Sequence, residues 1–250
     1  MGLLRQSVFG RLAGYEDVND AERLARDPVM RQIIGGRAVD AQAASSSQMG
    51  RFETEVLATA HNRDALADMP GQWIDAVHER QGLNDITLDM DSSVSPTHGA
   101  QEGTAWNGHF GCNCYHPLFI FNQFGHLERC ALRNGNVHSA DDWKALLAPV
   151  IARYAQRDIM RFFRGDAAFA IPELYETLET AKYSYAIRLK KNAVLEEKIS
   201  HRLTRPVGRP SKTKVKRFYE AFEYQAASWS KQRQVVAKIE WHPGELFPRL

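Results

Sequence analysis

Apolar and polar residues alternate with period two along Ile86-Thr87-Leu88-Asp89-Met90-Asp91, and the run ends on Ser92-Ser93. This pattern predicts a strand with Ile86, Leu88 and Met90 on one face and Thr87, Asp89 and Asp91 on the other. A second apolar run, Asp158-Ile159-Met160-Arg161-Phe162-Phe163, leads through Arg164-Gly165 to Asp166. Short apolar runs broken by glycine and polar clusters predict further strands at 108–116, 117–122, 127–132 and 183–189, and a closing pair at 217–228 and 232–241. Helices are expected at 140–153, capped by Ser139, and at 172–179, where Pro172 takes the first helical position and Leu174, Tyr175 and Leu178 point inward. Together these elements read as an α/β sheet.

The first 84 residues carry a different, helical pattern. Asn19-Asp20 caps a predicted helix over 21–25, and Asp27-Pro28 starts another, which Gly35-Gly36 stops. Val29, Ile33 and Ile34 form its apolar stripe. Residues 41–49 are small and polar and read as a linker. Phe52, Val56, Leu57 and Ala60 space as one helix face, and a third helix over 71–78 turns Trp73, Ile74 and Val77 inward. The chain thus divides into a helical region, 1–84, and a sheet-bearing region, 85–250, with a basic β-rich insertion around 190–240.

Composition excludes several classes. The chain has 250 residues, 44% hydrophobic and 25% charged, as in ordinary globular proteins. It contains no apolar run of the roughly 18–20 residues that a membrane helix needs and no signal-peptide pattern, so a soluble cytoplasmic protein is expected. Three cysteines, an odd number in a chain this long, argue against a disulfide framework. Cys112 and Cys114 read as buried small hydrophobes on one strand face. The net charge of +2 says little, but residues 201–219 hold seven Lys or Arg and no acid. Arg202, Arg205, Arg209, Lys212, Lys214, Lys216 and Arg217 are therefore the candidate contacts to a polyanion. Within that stretch Gly208-Arg209-Pro210 has the form of a minor-groove arm, although a solvated basic loop fits equally well. Phe218, Tyr219, Phe222, Tyr224 and Trp229 read as core rather than as base-stacking residues.

The candidate chemistry lies in Asp91 and Asp166. Carboxylates just past apolar strands sit at the open end of a sheet and can hold a hard divalent cation, Mg²⁺ or Mn²⁺, for phosphoryl transfer. Acidic strand ends also serve solubility alone, and Asp89 shares a face with Asp91 and rivals it. His98 and His109, in glycine-punctuated turns, are read as solvated loop histidines.

In order along the chain, Leu88-Asp89-Met90-Asp91-Ser92-Ser93, His98-Gly99-Ala100-Gln101-Glu102-Gly103, Asn107-Gly108, Tyr115-His116-Pro117-Leu118 and Arg164-Gly165-Asp166-Ala167-Ala168-Phe169 resemble the motifs of bacterial insertion-sequence DDE transposases. Gly14-Tyr15-Glu16-Asp17-Val18-Asn19-Asp20, Asp27-Pro28 and Arg51-Phe52-Glu53 match that group's helical lead-in. The resemblance implies a ribonuclease-H-like mixed sheet with flanking helices, preceded by a helical N-terminal region. It implies DNA transposition by metal-dependent strand cleavage and strand transfer, with double-stranded DNA as partner, a homo-oligomer assembled on that DNA and a nucleoid-associated location. It also implies that Asp91 and Asp166 are two of three carboxylates holding two Mg²⁺ or Mn²⁺ ions. The third, a glutamate on a later helix in a Tyr-x-x-Arg segment, finds no counterpart. Neither Glu240 nor Glu245 has the expected context, so the chain resembles a truncated, inactive fragment. A nuclease of the same fold and a catalytically dead DNA-binding remnant are the alternatives.

Overall fold

The computed structural model describes residues 1–99, 101–205, 207–208 and 212–250. They form two compact units, Met1–Trp73 and Ile74–Leu250.

The first unit is helical: α1 (Gly2–Leu12), α2 (Ala21–Leu24), α3 (Pro28–Ile34), α4 (Arg37–Asp40), α5 (Ser46–Arg51), a π-helical turn at Phe52–Leu57, and α6 (Ala60–Gln81), within which the division between units falls. The Asp27-Pro28 start behaves as expected. The Asp27 side chain accepts from the Met30 N–H at 2.7 Å, and Gly35 leaves α3 at φ +74°, a conformation open to glycine. The stripe is rotated from the predicted one, because Met30 and Ile34 are buried with Leu24 and Ala38 while Val29 is exposed. Asp17, rather than Asn19-Asp20, supplies the cap at the start of the second helical segment. The expected linker contains α5, whose start is a reciprocal capping box between Ser45 and Gln48. Of the residues expected inward near Trp73, Ile74 is buried whereas Trp73 itself lies open to solvent.

The second unit is built on a five-stranded sheet of order β6-β5-β1-β7-β8, where β1 is Asp85–Ser92, β5 Leu118–Asn122, β6 Leu127–Ala131, β7 Met160–Gly165 and β8 Ser184–Ile187. β1 pairs antiparallel with β5 and parallel with β7, and β7 pairs parallel with β8. The sheet is mixed, with α7 (Trp143–Tyr154) and α8 (Pro172–Thr180) flanking it, as the expected fold requires. The alternation in β1 holds: Ile86, Leu88 and Met90 are fully buried, packed with Leu118, Ile120, Leu147, Phe163, Leu174 and Leu178. A small sheet of order β2-β4-β3 (β2 Ser95–Pro96, β3 Ala105–Asn107, β4 Cys112–Tyr115) lies between β1 and β5 in sequence. β4 is shorter than predicted because the Asn107 side chain accepts from the N–H groups of His109 and Phe110, turning 108–111. Cys114 is buried and Cys112 half-buried, both as free thiols.

Two departures matter for the candidate site. α7 starts at Trp143, not at 140, because the buried Arg133 draws the carbonyls of His138, Ser139 and Asp141 to its guanidinium and keeps them out of a helical turn. The segment just before the basic stretch holds a helix that was not expected, while the stretch itself is irregular over 203–205, 207–208 and 212–215, in line with the loop expected there. α9 (Ala193–Lys198), capped by the Asn192 side chain, precedes it, and the hairpin β9 (Lys216–Tyr224) and β10 (Arg233–Trp241) follows. Phe218 and Phe222 pack under the hairpin with Ile199, Ile239 and Trp241, as alternation predicts, and Tyr219 points outward.

Candidate functional site

Parallel pairing of β1 with β7 runs in register from Asp85↔Met160 to Met90↔Gly165. The next residues on the two strands are Asp91 and Asp166, so both aspartates emerge side by side from the same end of the sheet. Neighbouring strands are roughly 4.8 Å apart, which sets the spacing of their backbones. Alternation puts them on one face, the one that carries Thr87 and Asp89 on β1 and Phe162 and Arg164 on β7. Both side chains are exposed. Each spends one oxygen locally: Asp91 accepts from the Ser92 N–H at 2.8 Å and Asp166 from the Ala168 N–H at 2.9 Å. The Asp166 bond caps the single 3₁₀ turn Ala167–Phe169, which directs the chain away from the sheet.

Asp89 is differently engaged. It is the register partner of Arg164, and the guanidinium grips both of its carboxylate oxygens. The hydrogen bond and charge of Asp89 in turn push the Arg164 guanidinium further up. A carboxylate already neutralised in two-point fashion is a poor ligand for a second cation. Asp91 and Asp166 have no such partner among the described residues.

Continuing the register one strand further, Gly165 pairs with Ile187 of β8, so Arg188 stands beside Asp166 and donates its backbone N–H to the Gly165 carbonyl at 3.2 Å. Tyr185 and Ile187 pack toward the core, which leaves Ser184, Ala186 and Arg188 on the face of the aspartates. A row Asp91, Asp166, Arg188 therefore crosses three adjacent strands. Sequence reasoning did not single out Arg188. The signal was present in the predicted alternation over 183–189, but its meaning depended on β8 lying parallel to β7. Past the row, a cavity of about 290 Å³ is lined by Ala167, Ala168, Lys190, Asn192, Tyr224 and Trp229, among others.

The predicted polyanion-binding residues do not act as one block. Arg202 meets Glu220 at 3.0 Å, and Arg217 meets Glu240 at 2.7 Å, so folding brings acids onto two cations that the sequence leaves unopposed. Lys216 lies over the Phe218 ring at 5.3 Å. Arg205 and Lys212 are exposed, and Lys214 has an interaction of its own. Arg209 and Pro210, which carry the Gly208-Arg209-Pro210 arm, lie outside the described residues. Glu240 is further held by Lys238, and the hydrogen bonds from Arg217 and Lys238 bring its carboxyl down to about 2. Glu245 is ion-paired with Arg249.

Among the described residues, no group of three or more His, Cys, Asp or Glu is placed to hold a metal ion, and no helix is long and apolar enough to cross a membrane. His98 is exposed, and His109 stacks edge-on against Phe110.

No curated protein matches the chain. Among solved structures it is similar to the piggyBac transposase in a synaptic complex with hairpin DNA, at 14% identity and a TM-score of 0.40, over 92% of this chain and 50% of that one. It is also similar to the Mos1 strand transfer complex, at 12% identity and a TM-score of 0.29, over 78% of this chain and 70% of that one. The chain thus spans about half the length of the piggyBac chain it matches. Residues 1–250 match the family described as transposase DDE domain group 1, with no part of the sequence left over. The chain belongs to that transposase family.

Proposed function

We propose that this chain is the catalytic core of an insertion-sequence transposase, in which Asp91 and Asp166 hold the divalent cations used to cut and rejoin DNA. The observation that supports this reading is the register of β1 and β7, which sets two exposed, unpaired carboxylates side by side at one sheet end. Their donor chemistry fits Mg²⁺ or Mn²⁺: hard oxygens, one on each residue still available beyond the local backbone bond. Mg²⁺ commonly takes only one or two protein carboxylates and completes its shell with water and substrate phosphate. When bound, such ions polarise phosphate oxygens and supply a nucleophile at neutral pH.

The protein's own part is positional. The Asp89–Arg164 pair ties β1 to β7 one step before the site and keeps the two aspartates level. The Asp166 cap holds its carboxylate toward the end of the sheet. Glu240 and Glu245 are each committed to an ion pair, so neither serves as a third ligand, and the chain alone is expected to cleave and join DNA weakly. Double-stranded DNA is the proposed partner, and a homo-oligomer on DNA the proposed assembly. The basic β-rich segment around 190–240 is proposed as an insertion in the core that faces the DNA backbone.

Mn²⁺ binding, followed by electron paramagnetic resonance on the Asp91→Asn, Asp166→Asn and Asp89→Asn variants, tests the assignment. Loss of either proposed ligand should weaken Mn²⁺ binding at least about tenfold, while Asp89→Asn keeps it. If Asp89→Asn abolishes binding and Asp91→Asn does not, the ligand is Asp89 and the assignment is wrong.

A further inference from the structure

Resting on that reading of the aspartates, we propose that Arg188 and Lys190 form a cationic site that binds the DNA phosphodiester backbone alongside Asp166, a site distinct from the basic stretch 202–217. Three observations lead to it. The register of β7 and β8 puts Arg188 next to Asp166 in the row that Asp91 begins, and on the same face. Arg188 and Lys190 are both exposed and, among the described residues, neither carries an ion pair. Their neighbour Lys191 is by contrast engaged with Glu196 at 3.2 Å. The same comparison weakens the stretch that looked strongest by composition, where Glu220 and Glu240 offset Arg202 and Arg217.

The geometry favours a polyanion that extends past a single phosphate. Successive phosphates of one strand advance by about 3.4 Å along the duplex axis, comparable to the roughly 4.8 Å step from one β-strand to the next. A backbone that runs across the strands with its reacting phosphate over Asp91 and Asp166 carries a neighbouring phosphate toward Arg188. Lys190, two residues on, lines the cavity beyond the aspartates and extends the positive charge in that direction. Guanidinium is the better of the two for phosphate, because its planar fork can donate to two oxygens at once.

The test is anisotropy of a fluorescently labelled duplex with the full 250-residue chain, in EDTA so that no divalent ion contributes, across a KCl series. The log–log slope of affinity against salt should shrink by about 0.9 in Arg188→Gln and in Lys190→Gln, the value for one phosphate no longer neutralised, and by about twice that in the double variant. Arg188→Lys should restore the slope. Arg217→Gln, which removes a cation already balanced by Glu240, should change it less. Thermal melting confirms that each variant is folded. An unchanged slope in the folded double variant would overturn the proposal, as would a larger effect from Arg217→Gln than from Arg188→Gln. The two readings fail separately. If Asp91→Asn leaves Mn²⁺ binding intact while the slopes shift as expected, the cationic site stands and the metal assignment falls. Normal metal-ligand behaviour with unshifted slopes means the reverse.

Discussion

Replacing Glu179 with glutamine should detach the β9–β10 hairpin from α8, and the size of the effect follows from the ion-pair network there. Arg233, at the start of β10, is almost wholly buried, with 6% of its side chain exposed against 24% for Glu179. Its guanidinium bonds both carboxylate oxygens of Glu179, at 2.8 and 3.2 Å, and lies over the rings of Tyr175 and Trp229. Lys231 and the Tyr185 hydroxyl also reach Glu179. Burial by itself would push the Glu179 carboxyl up, but the bonds from Arg233, Lys231 and Tyr185 outweigh it and hold the group at about 2, against an ordinary 4.5. That difference corresponds to about 3 kcal/mol of preference for the charged form in the folded state. The figure agrees with the roughly 3–5 kcal/mol lost when one partner of a buried pair is removed and the other is left uncompensated. Urea unfolding by circular dichroism at neutral pH should thus show Glu179→Gln less stable by about 3 kcal/mol, with a Tm roughly 6–12 °C lower. Because the folded-state value is depressed, the stabilisation is present in full above about pH 4.5 and disappears as pH falls toward 2. The gap between wild type and variant should therefore close over that interval. Arg233→Met combined with Glu179→Gln should recover part of the loss, since no buried charge is then unpaired. A gap below about 1 kcal/mol at neutral pH, the range of a solvent-exposed pair, would refute the reasoning, and so would a gap that persists on acidification.

Two further outcomes test the core. Glu128 is fully buried, ion-paired with Arg153, and accepts hydrogen bonds from the Asn122 amide at 2.7 Å and the Tyr154 hydroxyl at 2.9 Å, so Glu128→Ala should cost about 3–5 kcal/mol in chemical denaturation, with Glu128→Gln costing less. At Gly135 a Cβ atom would run into the carbonyl oxygens of Cys114 and Ala105, so Gly135→Ala should lower the Tm and alter amide chemical shifts across β3 and β4 more than at any other sheet.

Much of the second unit was legible in its sequence because buried faces obey simple periods. The alternation of β1, the inward triplet of α8 and the paired strands of the terminal hairpin all follow from it. What escaped depended on interactions made at a distance. The start of α7 is set by Arg133, whose carbonyl partners come from the following loop and cannot be seen in local propensity. In the helical region, α5 escaped because its signal is a two-residue capping box in a small, polar run whose one large apolar residue is Met49. Asp91 and Asp166 were nominated from pattern and resemblance, whereas the engagement of Asp89 by Arg164 could not be seen without the register of β1 and β7. Charge was the least legible property. The sequence shows seven cations in a row without an acid, whereas Glu220 and Glu240 meet two of them only once the hairpin has formed.

The mixed pairing of the central sheet also dictates an order of assembly. β5 and β6 are joined by a short turn, and β1 meets β5 from a nearby stretch of chain, so these antiparallel pairings close small loops. β7 must return to β1 from the far side of α7, and β8 is added only after α8. Pairings of such long sequence separation form slowly and leave strand edges unprotected until they do. The row Asp91, Asp166, Arg188 is thus completed by the last strands to join, and during synthesis a ribosome-bound chain that already displays Asp91 has no partner for it. Until β7 pairs with it the β1 edge is open to self-association, and the proposed sites for cation and polyanion arise together only when β7 and β8 close that edge.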